Sequence, residues 1–259
     1  MIVDLHNHTK LCNHAEGEVF EYIEQAIECK TKYFGFSDHA PMNFDQAYRM
    51  SFEQMSLYED MILKVKRDYS SQIEILLGYE VDYIKGYIDD RVLNAKVDYL
   101  IGSVHFINKW GFDNPEFIRD YKHKDIDQIW QEYFDAIEEM AKSELFEIVG
   151  HLDLIKVFKF LPKKDIRIVA KNALKAIKKA DMVVELNSSG YRKPIAEAYP
   201  SKLLLQEMAN LNIPITFGSD AHKPEQVGYR SDELKSLAKE FGYDKCAIFE
   251  QKEYRLIKF

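Results

Sequence analysis

Seven short runs of apolar, β-branched and aromatic residues recur along this chain, separated by longer stretches of helical periodicity. The runs span residues 2–5, 33–37, 74–79, 99–103, 147–150, 182–186 and 215–218. Runs this short and this apolar are strands rather than helices. The intervening spacing predicts helices over residues 19–30, 51–69, 87–95, 125–142, 164–179, 202–210 and 232–241. In the fifth of these, Ala170, Ala173, Leu174 and Ile177 fall on one face, as in a half-buried helix. Strands alternating with helices pair in parallel, and strands without polar alternation are covered on both faces. An open doubly wound sheet is the other arrangement of this kind, but the glycine fingerprints GxGxxG and GxxxxGK[ST] that such sheets use for phosphates are absent. No linker-like stretch interrupts the pattern, so residues 1–259 are expected to form one domain. The longest irregular piece, residues 106–124, follows the fourth strand and is either an active-site lid or a packed surface loop.

Charge narrows the partners. Lys and Arg total 35 against 43 Asp and Glu, a formal charge of −8. Such a balance gives no general attraction to a polyphosphate backbone, so no nucleic-acid partner is expected. The three cysteines, Cys12, Cys29 and Cys246, lie far apart and form neither a disulfide framework nor a CxxC knuckle. The first residues lack the basic and apolar segments of a signal peptide, and no apolar run is long enough to cross a membrane. A soluble cytoplasmic protein, monomeric or a small homo-oligomer, is the expectation.

The histidines carry the chemistry. Of eight, seven sit at or just beyond the C-terminal end of an expected strand. His6 and His8 follow the first strand, and His14 lies in the loop after it. His39 follows the second, His105 the fourth, His151 the fifth and His222 the seventh. Only His123, in a polar run, falls elsewhere. In a parallel barrel the C-terminal strand ends gather at one face, where connecting loops build the site. His6 and His8 are two residues apart, as are Asp220 and His222; in extended chain such pairs point the same way. Glu80 adds a carboxylate at the third strand end. Singly, each has an ordinary explanation: a core or surface histidine, an ion-pair partner, or a turn cap at Asp38. Together they have no packing rationale, because burying so many titratable groups without partners is costly. Imidazole and carboxylate donors suit zinc, iron or manganese.

The stretches Asp4-Leu-His-Asn-His-Thr, Phe36-Ser-Asp-His-Ala, Gly78-Tyr-Glu-Val-Asp, Gly102-Ser-Val-His-Phe, Gly150-His-Leu-Asp-Leu-Ile-Lys, Glu185-Leu-Asn-Ser-Ser-Gly and Gly218-Ser-Asp-Ala-His-Lys run in order across nearly the whole chain. In them the sequence resembles the polymerase-and-histidinol-phosphatase (PHP) family of phosphoesterases, in its histidinol-phosphate phosphatase branch. The resemblance implies a distorted TIM-like (β/α)7 barrel with three divalent metal ions at the C-terminal strand ends. It also implies that His6, His8, Glu80 and Asp220 hold the first metal, that Glu80 bridges to a second completed by His105 and His151, and that His14, His39 and His222 hold the third.

On that basis the expected reaction is hydrolysis of a small phosphomonoester, L-histidinol phosphate above others. Two metals sharing Glu80 would activate water, and the third would help to hold phosphate. Glu80, Asp220 and Arg192 are the expected catalytic residues, Arg192 as a fork on phosphate, with Lys156 and Lys223 as further candidates. Asp4, Asp38 and Asp153 are expected to orient imidazoles, and Trp110 and Phe112 are candidate stacking partners. The alternatives are a related phosphoesterase acting on a nucleotide or phosphotyrosine, an amidohydrolase, and a metal-binding protein without catalysis. In an amidohydrolase the third group of histidines would have no task.

Overall fold

The computed structural model describes residues 1–259. Its elements in chain order are β1 (Val3–Asp4), α1 (Val19–Glu28), β2 (Tyr33–His39), α2 (Met55–Asp68), β3 (Glu74–Asp82), α3 (Asp90–Leu93), β4 (Tyr99–Ser103), β5 (Phe106–Ile107), β6 (Trp110–Gly111), α4 (Ile126–Ser143), β7 (Ile148–Val149), α5 (Ile166–Val169), α6 (Lys171–Lys179), β8 (Val183–Asn187), α7 (Lys202–Asn210), β9 (Ile215–Gly218), α8 (Ser231–Glu240), β10 (Lys245–Glu250) and β11 (Glu253–Lys258). Seven strands form one sheet in the order β1-β2-β3-β4-β7-β8-β9, each pair parallel. The first and last strands meet through Leu5 N–H to Phe217 O at 2.9 Å, Asp220 N–H to His6 O at 2.7 Å and His8 N–H to Ala221 O at 2.9 Å. These bonds close the sheet into the expected (β/α)7 barrel.

The barrel is packed rather than hollow. Tyr99 spans it from β4 and donates its hydroxyl to Leu5 O at 2.6 Å. Its ring lies over Gly35 and Gly78, where any Cβ would collide with it. The longest helix shows why the outer layer forms. Asp125 caps α4 by accepting from Gln128 N–H. Ile129, Trp130, Tyr133, Phe134, Ile137 and Met140 make one buried face, and the helix stops at Glu144, with φ 55°. Burying one such large side chain contributes roughly 1.5–3 kcal/mol.

Four details depart from the sequence reading. Strands β2 and β3 run two or three residues further than expected, because their ladder continues through His39 opposite Glu80. Residues 87–95 hold a single turn, α3, and residues 164–179 divide into α5 and α6 at Ala170. Residues 106–124 are not irregular: β5 and β6 form an antiparallel ribbon, and a 3-10 helix follows over Pro115–His123. The terminal hairpin of β10 and β11 was not anticipated. It covers the N-terminal end of the barrel, with Lys252 N–H on Asp98 O at 2.8 Å and Phe249 against Tyr99.

Candidate metal centre

Strand periodicity delivers the donors to the open end. In β3 the residues alternate, so that Gly78, Glu80 and Asp82 share the interior face that Tyr99 fills lower down. Ser103, at the end of β4, donates to Glu80 Oε1 at 2.7 Å and fixes one carboxylate oxygen. Beyond β1, His6 and His8 are fully buried. At Gly218 a Cβ would strike both Glu185 and His6, so only glycine lets β9 pass this close to the cluster.

All nine expected ligands converge. His6 Nε2 is 3.3 Å and His8 Nε2 is 3.7 Å from Glu80 Oε2, and His8 Nε2 is 3.2 Å from Asp220 Oδ1. Across Glu80, His151 Nε2 lies 2.9 Å and His105 Nε2 3.6 Å from Oε1. The Nε2 atoms of His105 and His151 face one another at 3.2 Å, and those of His14 and His222 at 3.0 Å. Four groups have donor atoms within 4.8 Å of one another: His6, His8 and Glu80; Glu80, His105 and His151; His14, His39 and His222; and His8, Cys12 and His222. His123 is far from this in character, an exposed residue ending the 3-10 helix.

This donor set fits cations. His6 and His8 have no hydrogen-bond partner at Nε2 although both atoms are buried, a cost that a native fold normally avoids. His6 Nδ1 is 2.8 Å from Glu185, and His105 Nδ1 is 2.5 Å from Asp82. With the proton on Nδ1, the Nε2 lone pair of each ring is directed at its neighbours' donors. Such convergence of lone pairs is repulsive unless a positive centre stands among them. The charges agree. Burial would raise the Glu80 carboxyl, but His6, His39 and His105 outweigh it and hold it well below the carboxylate range. Burial would lower His8 and His105, but Asp220 and Asp38 hold His8 at about 9, and Asp82 and Glu80 hold His105 at about 10. Burial prevails at His39 and His222, which fall well below the ordinary imidazole value. The site thus gathers carboxylates and imidazoles, the donors of a divalent cation, which would take the place of the protons on His8 and His105.

The supporting residues differ in part from expectation. Asp38 does orient an imidazole, lying 3.3 Å from His8 Nδ1. Asp4 instead accepts from Ser219 N–H and Oγ, tying β1 to β9, and Asp153 pairs with Lys156 and accepts from Ser201 N–H. The carboxylates that do the orienting are Asp38, Glu185 and Asp82. The last two were readable as ionisable residues in otherwise apolar strands, each in phase with a polar residue at the strand end. Lys156 is buried, with its ammonium on Ala198 O, and Lys223 pairs with Glu16 outside the cavity; neither faces the site. Arg192 does. Its Nη2 donates to Ser219 O at 2.9 Å and Asp220 O at 2.8 Å, while Nη1 is buried without a partner. Phe112 is fully buried and Trp110 packs on Tyr121, so the aromatic side chains that line the cavity are Tyr48, Phe106 and Phe117. The cavity, of about 480 Å³, is also lined by Arg192, Lys193 and Ser189.

The PHP domain model matches residues 4–189, and a PHP-associated model matches residues 205–230. The "probable histidinol-phosphatase" of Deinococcus radiodurans is 37% identical over 242 residues, covering 91% of this chain and 92% of the relative. The histidinol-phosphatase of Bacillus subtilis is 30% identical over 258 residues, covering 87% and 95%. In three dimensions the fold matches the histidinol phosphate phosphatase of Lactococcus lactis, solved in complex with zinc, L-histidinol and phosphate. That match has a TM-score of 0.80 at 21% identity, over 98% of each chain. With its barrel, its converging donors and its matched length taken together, the chain belongs to the PHP domain family.

Proposed function

We propose that this protein is a metal-dependent phosphomonoesterase whose substrate is L-histidinol phosphate and whose centre holds three divalent cations. The convergence of nine donors, Glu80 among them, with the buried Nε2 atoms of His6 and His8 lacking any hydrogen-bond partner, carries the reading. The names of the Deinococcus and Bacillus relatives support the substrate. His6, His8, Glu80 and Asp220 would hold one cation, Glu80, His105 and His151 a second, and His14, His39 and His222 a third. Bound there, the cations would supply Lewis acidity and activate water at neutral pH. Zinc, manganese and iron all suit the donor set.

The chain's own groups do the positioning. Glu80 is fixed by Ser103 on one oxygen and faces His6 and His39 with the other. Asn187 donates to Glu185 at 3.1 Å and to Asp220 at 3.5 Å, holding the two carboxylates apart. Two backbone carbonyls anchor one nitrogen of Arg192, which leaves Nη1 as a fixed donor for a phosphoryl oxygen. Ser189 lines the same cavity with a hydroxyl that has no partner. Phosphoryl transfer needs this kind of preset charge more than covalent help from the protein.

The test is phosphate release from a panel of phosphomonoesters, with and without chelator, alongside elemental analysis of the purified protein. Chelator-sensitive turnover of L-histidinol phosphate far above the other esters is expected. Bound metal with no turnover of any ester would leave a metal-binding protein without catalysis.

A further inference from the structure

Arg49 and Lys156 are the two buried Lys or Arg side chains of this protein. A guanidinium out of water is costly unless its donors are well matched. Each nitrogen of Arg49 has a protein partner. Nε donates to Asp45 O at 3.0 Å and Nη1 to Ala40 O at 3.3 Å. Nη2 donates to Asp45 Oδ2 at 3.2 Å and pairs with Asp82 Oδ2 at 2.8 Å. Arg192 has Nη1 free of any protein partner, whereas no nitrogen of Arg49 is spare for a ligand. The task of Arg49 lies in what it joins.

Its partners lead to both sides of the donor cluster. Asp82 presents its other oxygen to His105 Nδ1, so the guanidinium fixes the carboxylate that orients this imidazole. Ala40 follows His39, and its own N–H is on Glu80 O at 2.8 Å. The backbone beside His39 is therefore held between β3 and Arg49. Arg49 O accepts from Asn13 Nδ2 at 3.0 Å, and Asn13 immediately precedes His14. Asn13 also donates to Ala47 O at 3.4 Å, and Tyr48 sets its ring edge-on against His14 at 5.8 Å. One residue of the loop after β2 thus reaches the supports of His105, His39 and His14, which stand in two different donor groups. His6 and His8 lean instead on Glu185 and Asp38, neither of which Arg49 contacts.

We propose that Arg49 is a positioning residue that braces the outer group of His14, His39 and His222 against His105, so that two of the three cations depend on one side chain that is ligand to neither. This rests on the three-cation centre of the proposed function, and not on the reaction assigned to it. Loss of a support behind a metal ligand weakens the metal by about 10–100-fold.

The experiment is competitive zinc titration of the parent and its Arg49→Lys variant against a chromophoric chelator, without substrate. Lysine keeps a positive charge for Asp82 but cannot fork to Ala40 and Asp45 as well. The parent should hold three ions. In the variant two of them should bind about 10–100-fold more weakly, and the third should keep its affinity. A merely structural role would loosen all three alike, so uniform weakening overturns the proposal, as does weakening of one ion or none. Fewer than three ions in the parent overturns it as well.

Should the arginine variant not fold, Asn13→Gly tests the outer arm alone. Asn13 has φ 68°, which glycine adopts without strain. One ion should then bind about 10-fold more weakly while two are unchanged, and three ions at parental affinity overturn the brace. Phosphate release from L-histidinol phosphate is followed beside the titration. A parent that cleaves no ester, while Arg49→Lys weakens two ions, supports the brace and faults only the proposed reaction.

Discussion

His6, His8 and His105 present Nδ1 to carboxylates, those of Glu185, Asp38 and Asp82, at 2.8, 3.3 and 2.5 Å. At the rim, His14 and His222 present Nδ1 to backbone carbonyls, those of Cys12 and Asp220, at 2.8 and 3.2 Å. Both arrangements leave Nε2 for a cation, but they do not hold it alike. A carboxylate partner raises the basicity of the ring and fixes its orientation. The titrations divide along the same line. Burial lowers His14 and His222, whereas His6 and His8, buried at least as deeply, are raised by their carboxylate neighbours. Cations in the inner group around Glu80 would therefore be held more tightly than one in the rim group, of which His14 is exposed.

Loss of Glu80 should hurt most, because it is the carboxylate shared by the two inner groups. Glu80→Gln keeps the shape and removes the anion. Turnover should fall by about 10³-fold or more, the equivalent of several kcal/mol of lost Lewis-acid stabilisation, and bound metal should drop by about two ions per chain. A variant with full activity and full metal content would remove the shared carboxylate from the account of the inner region.

His14→Ala strikes the rim. It should remove one ion, leave the inner pair in place, and lower kcat/KM by about 10²–10³-fold, as for one lost stabiliser of transition-state charge. Graded chelation of the parent should empty the rim group first. If all the metal leaves in one step, the two regions are not energetically distinct, whatever their hydrogen bonds.

The division between the regions was only half legible in the sequence. The seven barrel strands and the nine donors could be placed because each donor ends a short apolar run or, like His14, lies in the loop that follows one, and parallel βα alternation brings such ends to one face. The orienting carboxylates were harder. Asp4 and Asp153 stand beside ligand histidines in sequence, yet their side chains serve Ser219 and Lys156. Glu185 serves His6 from 179 residues away. Sequence proximity is a poor guide to such partners, because the chain leaves the extended ladder at these strand ends, whereas residues on adjoining strands share one face. The hairpin of β10 and β11 has no clear signal in the sequence for a related reason. Apart from the run 246–249 it reads as charged alternation, and its place follows only from the barrel end that it covers.

Proton counting separates the two regions without any mutation. In the metal-free protein His8 and His105 lie at about 9 and about 10 and are charged at pH 7.5, whereas His14 and His222 are neutral. A raised value in the folded state favours folding below the free imidazole value of about 6.5 and loses that effect as pH climbs through 9 to 10. Cations must displace the protons of His6, His8 and His105, so the combined zinc affinity of the inner region should rise by about 1000-fold per pH unit between about 6.5 and 9, three protons being released. Affinity at the rim should be nearly flat. Calorimetry in buffers of different ionisation enthalpy measures the protons directly. A count near zero for the first ions bound would contradict the assignment of charged imidazoles to the inner group.

The smallest effect should come from the histidine outside both regions. His123 ends the 3-10 helix of the loop after β4, exposed, with no partner for its ring among the side-chain hydrogen bonds and no place in any donor group. His123→Ala should therefore leave metal content unchanged and turnover within about twofold, as for a surface substitution. The loop nevertheless forms a wall of the cavity through Phe117 and carries Asp113. A large rise in KM with unchanged metal would show that the helix end moves with bound substrate, making the loop a third region whose dynamics matter. A large loss of metal would break the sorting of the histidines from which the inner and rim groups were drawn.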